Sequence, residues 1–116
     1  MKRTQLWGVR TEGVYLLKAL EGPLWKIGMS LRVKGRLRQV YKTQRPCELI
    51  HVVTTNDPYA LEHYLHRAFR RRLHHEPAHR EWFTLWPVDV HRFMALTHVD
   101  MNGKLPADKA VRAMFE

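Results

Sequence analysis

The chain has 116 residues, of which 45% are hydrophobic, enough for the core of one compact domain, and this composition excludes a wholly disordered chain. Twenty Lys and Arg against eleven Asp and Glu give a net charge of +9 and an isoelectric point of about 10.2; this balance is typical of polyanion-binding proteins, with a merely soluble basic protein as the alternative. No apolar run approaches the ~20 residues that cross a bilayer, residues 1–8 lack a signal-peptide pattern, and the single Cys47 excludes an internal disulfide and a multi-cysteine zinc cluster, which favours the cytoplasm.

A β-hairpin followed by a helix is predicted for the first third of the chain. The apolar runs 13–17 and 24–28 flank Glu21-Gly22-Pro23, and two such runs joined by a Gly-Pro turn are typical of paired antiparallel strands. Ser30 is the predicted N-cap of the helix that follows. The apolar face of this helix is defined by spacings of four, three and one residues, at Val33, Leu37, Val40 and Tyr41.

A third strand and a second helix are predicted for the middle of the chain. Pro46 ends the first helix, because the residue before a proline is pushed out of the α region. The β-branched segment 47–55 predicts a strand. Asp57 as the cap and Pro58 in the first turn begin a helix that runs to about residue 72. Its predicted buried face consists of Leu61, Leu65, Ala68 and Phe69.

The last third is predicted to contain a loop at 73–79, an extended segment at 80–85 and a third helix that begins at Pro87. After the turn dipeptide Asn102-Gly103, residues 106–115 are predicted to form a small amphipathic helix. The elements together indicate an α+β fold with a small three-stranded antiparallel sheet flanked by helices. Residues 1–97 are interpreted as one domain and residues 98–116 as a C-terminal extension. The apolar residues of the third helix are Val90, Phe93, Met94 and Leu96.

Two segments of the chain carry many cations and no acid. The first runs from Lys26 to Arg45, and the second, from His63 to His75, combines arginines with histidines. A solvated face is the alternative for any single arginine, but surfaces that serve only solubility mix both signs of charge. We therefore expect phosphate contacts with nucleic acid and a steep dependence on salt. The candidate contact residues are Arg32, Lys34, Arg38, Arg67, Arg70 and Arg71.

The order of several short motifs resembles the GIY-YIG nuclease superfamily. The motifs are Gly13-Val14-Tyr15, then Lys26-Ile27-Gly28, then Arg36-Leu37, then Leu61-Glu62 on the second helix. Glu62 with His66, Phe69 and the later Glu81-Trp82-Phe83 is similar to a phage-associated branch of the superfamily, the meiotically up-regulated gene-like branch. The resemblance spans residues 13–85. It implies a GIY-YIG-like fold and an endonuclease that hydrolyses DNA phosphodiester bonds with a single Mg²⁺ or Mn²⁺ ion.

The resemblance implies that Tyr15 is the general base and Arg36 the phosphate clamp, with Arg32 one turn earlier as an assisting residue. A phenol titrates near 10, so Tyr15 acts at neutral pH only if cations such as Lys26 and Arg36 lower its pKa; a core or edge-strand tyrosine is the alternative. Lys26 departs from the commonest pattern, which has a second tyrosine there. It is expected to contact the scissile phosphate or Tyr15, with a solvent-facing strand lysine as the alternative.

The resemblance also implies that Glu62 holds the divalent ion, because a hard carboxylate oxygen suits Mg²⁺ or Mn²⁺. A glutamate that stabilises the helix dipole is the alternative. His66, one turn further on, is expected to relay a proton, orient Glu62 or pair with it. It is also a candidate replacement for the His or Tyr that the family often has at the position of Val40. Glu81 stands near the family's supporting asparagine, and its part in the site stays open.

Other functions compete with the nuclease hypothesis. Trp82 and Phe83 are expected to pack in the core, and a zinc site is a minor alternative whose ligands would come from five histidines. A nucleic-acid-binding module without catalysis is the second hypothesis, and a basic protein-interaction domain is the third. The expected partner is DNA, with no membrane partner. A homodimer is an option, because a lone nuclease domain often needs a second copy to cut both strands. The five histidines are His63, His66, His74, His75 and His79.

Overall fold

A mixed five-stranded sheet forms the centre of the protein, whose computed structural model describes residues 12–75 and 81–115. Within these ranges the strand order is β4-β2-β1-β3-β5, and all pairs are antiparallel except β3 with β5. The predicted α+β class is confirmed, and the sheet contains the three predicted strands plus two short ones. The strands are β1 (Gly13–Ala19), β2 (Trp25–Ser30), β3 (Cys47–Thr55), β4 (Trp82–Phe83) and β5 (His98–Val99).

Four α-helices lie around the sheet in the described part of the chain. A single 3-10 turn, Arg70–Arg72, follows the second helix, and a small hairpin of β6 (Met101–Asn102) and β7 (Leu105–Pro106) precedes the fourth. No helix in the described ranges is long and apolar enough to span a bilayer. The helices are α1 (Val33–Thr43), α2 (Pro58–Ala68), α3 (Pro87–Met94) and α4 (Lys109–Met114).

The predicted hairpin is confirmed as β1 and β2, and both strands are longer than expected. Its turn is closed by a hydrogen bond from the Ala19 amide to the Leu24 carbonyl at 2.9 Å. Lys18 Nζ donates to the Gly22 carbonyl at 2.7 Å. The backbone φ of Gly22 is +79°, in the left-handed region that side chains with a Cβ disfavour, so the turn needs a glycine at this place.

The two principal helices cover opposite faces of the sheet. Alternate residues of β1 point to opposite sides. Val14 lies in the core under α2 and α3, whereas Tyr15 and Leu17 lie in the core under α1. The second core contains the buried face of α1, at Val33, Leu37 and Val40.

A bulge in β3 reverses which residues face which helix. The register opposite β1 shifts between Leu16 and Leu17, so that one additional β3 residue is accommodated near Ile50. Val53 therefore faces the α2 side and Leu49 the α1 side, although the two residues are four positions apart and would share a face in a regular strand. Both helices are thus covered by apolar side chains of one strand.

Three predictions about the first two helices are wrong in detail. Ser30 is the last residue of β2, and its hydroxyl accepts from the Arg32 amide at 2.9 Å, so α1 begins only at Val33. Tyr41 is 47% exposed, because it lies outside the buried face of α1, whose last residue is Val40. The second helix ends at Ala68 and not near residue 72, since Phe69 leaves helical geometry and its ring packs edge-on against Phe115.

The last third follows the predicted order with shorter elements. Phe93 and Leu96 are buried as expected, whereas Met94 is 45% exposed because it lies on the outer side of α3. The predicted tail helix is shorter and forms α4, since Pro106 is part of β7. His98 and Val99 pair with β3, so the first residues of the predicted extension complete the sheet. The domain division at residue 97 stays a prediction. The predicted loop at 73–79 and the extended segment at 80–85 lie partly outside the described residues, and residues 1–8 lie wholly outside them.

Candidate active site

Tyr15 is a buried phenol in the middle of β1, and its ring lies across the backbone of β2. It is directly opposite Gly28 in the register. A Cβ atom built on Gly28 would lie 2.3 Å from the Tyr15 hydroxyl oxygen. The position needs a glycine for this reason, because any side chain there would displace the phenol. The Gly13-Val14-Tyr15 and Lys26-Ile27-Gly28 motifs are therefore two halves of one contact.

Arg36 brings a guanidinium group from α1 to the phenol. Its Nε donates to the Tyr15 hydroxyl at 3.4 Å, which is long for a hydrogen bond. One terminal nitrogen donates to Gln39 Oε1 at 2.6 Å, one turn along the same helix. The side chain is half-buried, so the guanidinium is held in place and remains within reach of an anion that approaches Tyr15.

The pKa of Tyr15 departs from the expectation that nearby cations lower it. Burial raises the pKa to about 12, and the negative charges of Glu81 and Glu62 raise it further. The hydrogen bond and charge of Arg36 lower it, but by less than burial raises it. The phenol is therefore protonated at neutral pH in the free protein, and the lowering by Arg36 is too small to meet the condition set for a general base at neutral pH.

Lys26 is fully buried and paired, which overturns the alternative of a solvent-facing lysine. It is 1% exposed, and its Nζ donates to Glu81 Oε1 at 2.5 Å. The ammonium also lies 5.7 Å from the centroid of the Trp82 ring. Burial lowers the pKa of Lys26, and the Glu81 carboxylate opposes that effect. The positive charge of Lys26 is therefore paired with the carboxylate of Glu81.

The edge of β2 is where elements from both faces of the sheet meet. Strand β4 pairs with Trp25 and Lys26, so in the described part of the chain the later residues of β2 have β1 on one side and no strand on the other. The Ile27 amide donates to the Glu81 carbonyl at 3.1 Å, and the Ile27 carbonyl accepts from His66 Nε2 at 2.7 Å. The Met29 amide bonds to the Glu62 carboxylate. Two side chains of α2 thus satisfy backbone groups that a longer β4 would have paired.

Glu62 is a half-buried carboxylate whose pKa is raised to about 7. Burial is the largest cause and the nearby Glu81 charge the second. The charges of Lys26 and Arg36 and the Met29 amide lower the pKa without cancelling burial. The nearby cations therefore do not fully compensate the negative charge of the two carboxylates. Two such oxygen donors fit a divalent cation.

The donor set around Glu62 suits an ion that keeps most of its water. In the part of the chain that the structure describes, no three His, Cys, Asp or Glu side chains form a metal-binding group. Mg²⁺ is commonly held by one or two carboxylates and completes its shell with water and substrate phosphate. Glu62, with Glu81 nearby, offers this kind of site. The five-histidine zinc alternative finds no such group here, and His79 lies outside the described residues.

His66 holds the edge of β2 and does not pair with Glu62. The Ile27 carbonyl can only accept, so His66 Nε2 carries the proton of this hydrogen bond. The ring meets Phe83 edge-on, with centroids 5.2 Å apart. Burial lowers the pKa of His66, which favours the neutral ring at pH 7. Of the three alternatives for His66, pairing with Glu62 is not the contact that Nε2 makes, because the Ile27 carbonyl accepts its proton.

The candidate nucleic-acid contacts are all exposed, but they lie on two separate surfaces. One set is on α1 and the residue before it, on the sheet face that carries Arg36, and the other is at the end of α2 on the opposite face. The first set is Arg32, Lys34 and Arg38, and the second is Arg67, Arg70 and Arg71.

Two supporting contacts were not found from the sequence. Trp82 is buried as expected, and its Nε1 donates to Gln44 Oε1 at 2.8 Å, which ties β4 to the end of α1. Asp89 is buried at the start of α3 and accepts from the Trp86 amide at 2.8 Å and from Arg72 Nε at 3.0 Å. Asp89 lies three positions after Trp86, the residue before a helix that begins with a proline. An acidic residue at this position is a sequence signal for a helix start, and it could have identified Asp89.

The fold and this cluster define an α+β domain with a phenol, a guanidinium and a carboxylate at one sheet edge. The family model of the T5orf172 domain matches residues 12–98, and the chain belongs to this phage-associated domain family. The searches of curated proteins and of solved structures give no match. Membership supports a nuclease-like or DNA-binding role, in agreement with the phage-associated part of the resemblance. The GIY-YIG assignment and the Glu81-Trp82-Phe83 motif stay predictions.

Proposed function

We propose that this T5orf172 domain is a GIY-YIG-type endonuclease that hydrolyses DNA phosphodiester bonds with one Mg²⁺ or Mn²⁺ ion at Glu62. The observation that carries the proposal is that three groups meet at β2: Arg36 Nε donates to the Tyr15 hydroxyl at 3.4 Å, the Tyr15 hydroxyl lies over Gly28, and Glu62 accepts from the amide of the next residue, Met29. Phosphodiester hydrolysis requires an activated water and positive charge at the phosphate. The three side chains, which come from β1, α1 and α2, supply these requirements.

Arg36 is the proposed phosphate clamp. Its planar guanidinium can donate two parallel hydrogen bonds to phosphate oxygens. The Nε lies 3.4 Å from the Tyr15 hydroxyl, so a phosphate bound by Arg36 would lie beside the phenol. The long, weak bond to Tyr15 is readily exchanged for a stronger bond to an anion. Arg32 lies at the start of the same helix and would assist from the exposed side.

Tyr15 is the proposed base, and its ionisation depends on the charge at Glu62. The negative charges of Glu62 and Glu81 are among the causes that raise the phenol pKa. Glu62 would hold the divalent cation, which would supply Lewis-acid stabilisation of the phosphate charge. With the Glu62 carboxylate compensated, the pKa of Tyr15 would be lower and the phenol could lose its proton to solvent. The phenolate would then accept a hydrogen bond from Arg36 and take a proton from the attacking water, whose oxygen bonds to phosphorus as the P–O bond to the leaving strand end breaks. We expect the cleavage rate to rise with pH above neutrality.

Lys26 and His66 are proposed positioning residues. Lys26 binds Glu81 and keeps the second carboxylate close to Glu62. His66 binds the carbonyl of Ile27 and holds α2 against β2. Both act through neighbours that face the site, and their removal is expected to misplace Glu62 and Glu81 rather than to remove a reacting group.

Plasmid nicking in the presence of Mn²⁺ tests the proposal. Glu62→Gln and Tyr15→Phe are expected to reduce the nicking rate by about 10² or more. Glu21→Gln in the hairpin turn and Tyr41→Phe on the exposed side of α1 are matched controls that should cut like the wild type. Circular dichroism verifies that each variant folds. Equal cutting by all five proteins would identify a contaminating nuclease and reject the assignment.

DNA binding without cleavage is the second candidate function. It is favoured by the pKa of about 12 at Tyr15, which leaves no phenolate at neutral pH, and by the departures from the family pattern at Lys26 and Val40. Assays with Mn²⁺ across pH 6 to about 9.5, below the ordinary phenol range, discriminate the two functions. A rate that rises with pH and is lost in Tyr15→Phe supports the nuclease. Salt-sensitive binding with no cleavage at any pH supports the binding module.

A further inference from the structure

A second concave site lies at the end of α2, apart from the candidate active site. It is a pocket of about 390 Å³, and its lining contains none of the residues assigned to catalysis. Among the described residues that line it, the single acid is Asp89, and the apolar wall includes Phe69 and Phe115. The remaining polar lining consists of guanidinium groups, contributed by Arg67, Arg70, Arg71, Arg72 and Arg92.

The charge of Asp89 is already used within the protein. Its Oδ2 accepts from Arg72 Nε at 3.0 Å and from the Trp86 amide at 2.8 Å. The Arg72 guanidinium also stacks on the Trp86 ring, with its central carbon 3.6 Å from the ring centroid. Arg72 is thereby fixed as a rigid wall of the pocket, and its charge compensates the single acid.

Helix dipoles account for only part of the remaining positive charge. Arg67 and Arg92 lie in the last turns of α2 and α3, where each helix end presents about half a negative charge. Arg70 and Arg71 lie beyond α2 in the 3-10 turn. Within the described residues neither of them forms an ion pair with a carboxylate. The pocket therefore carries more positive charge than its protein surroundings neutralise, and a concave site of this kind attracts an anion.

We propose that this pocket binds a phosphate group of a nucleic-acid strand outside the candidate active site. Guanidinium forks from two elements, Arg71 beyond α2 and Arg92 on α3, converge on the pocket and match phosphate oxygens in pairs. Phe115 closes one side and offers an apolar surface to the adjoining sugar. A terminal phosphate monoester and an internal phosphodiester share this chemistry. The proposal rests on the nucleic-acid-binding part of the proposed function and does not require cleavage.

Fluorescence anisotropy with a short labelled duplex tests the pocket. One duplex carries a 5′-phosphate and a matched one a 5′-hydroxyl, both measured in EDTA at ~50 mM salt, where phosphate contacts are strong. Arg71→Gln and Arg92→Gln are exposed substitutions that should leave the fold intact. Each is expected to weaken binding about tenfold. Lys109→Gln, which removes one exposed charge from α4 outside the pocket, is the matched control and should have little effect.

The pattern of loss identifies the source of the phosphate. A loss confined to the 5′-phosphate duplex supports the proposal with a terminal monoester as the ligand. An equal loss with both duplexes supports it with an internal phosphodiester. Pocket variants that weaken binding no more than Lys109→Gln overturn it. EDTA prevents metal-dependent cleavage, so the anisotropy experiment measures binding alone. A negative result in the separate nicking assay with Mn²⁺ would therefore reject the nuclease and leave the binding result unchanged.

Discussion

At Tyr15 and Glu62, burial opposes ionisation more strongly than the neighbouring cations favour it. The pKa of Tyr15 is raised to about 12 and that of Glu62 to about 7, and burial is the first cause of both shifts. Arg36 lowers both pKa values, and Lys26 lowers that of Glu62. The free site therefore has protonated or partly protonated groups where a nuclease needs charged ones. A cation at Glu62 would change the balance for both groups.

The raised pKa of Glu62 predicts how protein stability changes with pH. An unfolded glutamate titrates at its ordinary value of 4.5. The folded state therefore binds more protons than the unfolded state between about pH 4.5 and 7, and ionised Glu62 lowers the free energy of unfolding as the pH rises through this window. This decrease in the free energy of unfolding is complete above the folded pKa and amounts to at most about 3 kcal/mol. Glu62→Gln is expected to remove it.

Urea denaturation in EDTA at pH 5 and pH 8 measures this effect. The wild type should lose more stability than Glu62→Gln between the two values, so the variant becomes the more stable protein at pH 8. Glu21→Gln, in the exposed hairpin turn, should follow the wild type. Parallel curves for wild type and Glu62→Gln would show that the pKa of Glu62 is close to that of an exposed carboxylate.

At the scale of elements, the shortness of β4 makes the site available. It pairs with only Trp25 and Lys26, and α2 takes over the next backbone groups of β2 through Glu62 and His66. A longer β4 would satisfy the same groups and exclude α2 from the edge. The start of α2 matters for the same reason, since Glu62 lies within its first two turns.

The N-cap of α2 gives a prediction at this scale. Asp57 Oδ1 accepts from the Ala60 amide at 3.1 Å. Asp57→Ala is expected to lower the free energy of unfolding by about 1 kcal/mol, because one backbone donor loses its partner. Asp108, which caps the six-residue helix α4 outside the site, provides the comparison. Chemical denaturation of Asp57→Ala and Asp108→Ala measures both, and an unchanged midpoint for Asp57→Ala would contradict the capping role.

At the scale of the whole molecule, the positive charge forms separate surfaces on the two faces of the sheet. Lys34 and Arg38 are exposed on α1, which also carries the proposed clamp Arg36. The arginine-lined pocket proposed to bind a phosphate lies at the end of α2, the helix that covers the other face of the sheet. A strand that follows both surfaces would pass around the edge of β2. The homodimer and the cytoplasmic location stay predictions.

Salt dependence tests whether the α1 surface contacts phosphates. Each lost phosphate contact reduces the slope of log affinity against log salt by about 0.9. Lys34→Gln and Arg38→Gln are each expected to show this reduction in anisotropy titrations over a range of salt concentrations. Lys109→Gln should keep the wild-type slope. Slopes that are equal for all four proteins would place DNA away from α1.

Local patterns predicted the order of the elements well. The Gly-Pro turn marked the hairpin, Pro46 marked the end of α1, and Asp57-Pro58 marked the start of α2. These signals depend on neighbouring residues, whose backbone preferences are the same in any fold. The two-residue strands β4 and β5 were not recognised as parts of the sheet, because a strand of two residues has no periodicity of its own.

The sequence by itself determined the α+β class, the hairpin and the apolar faces of the helices, since side-chain spacing and turn chemistry act over a few residues. Only the tertiary structure decided that Lys26 is buried against Glu81, a partner 55 residues away in the chain. It also decided that the pKa of Tyr15 rises rather than falls. Burial and long-range pairing set the energy of a charge, and both depend on which elements the fold brings together.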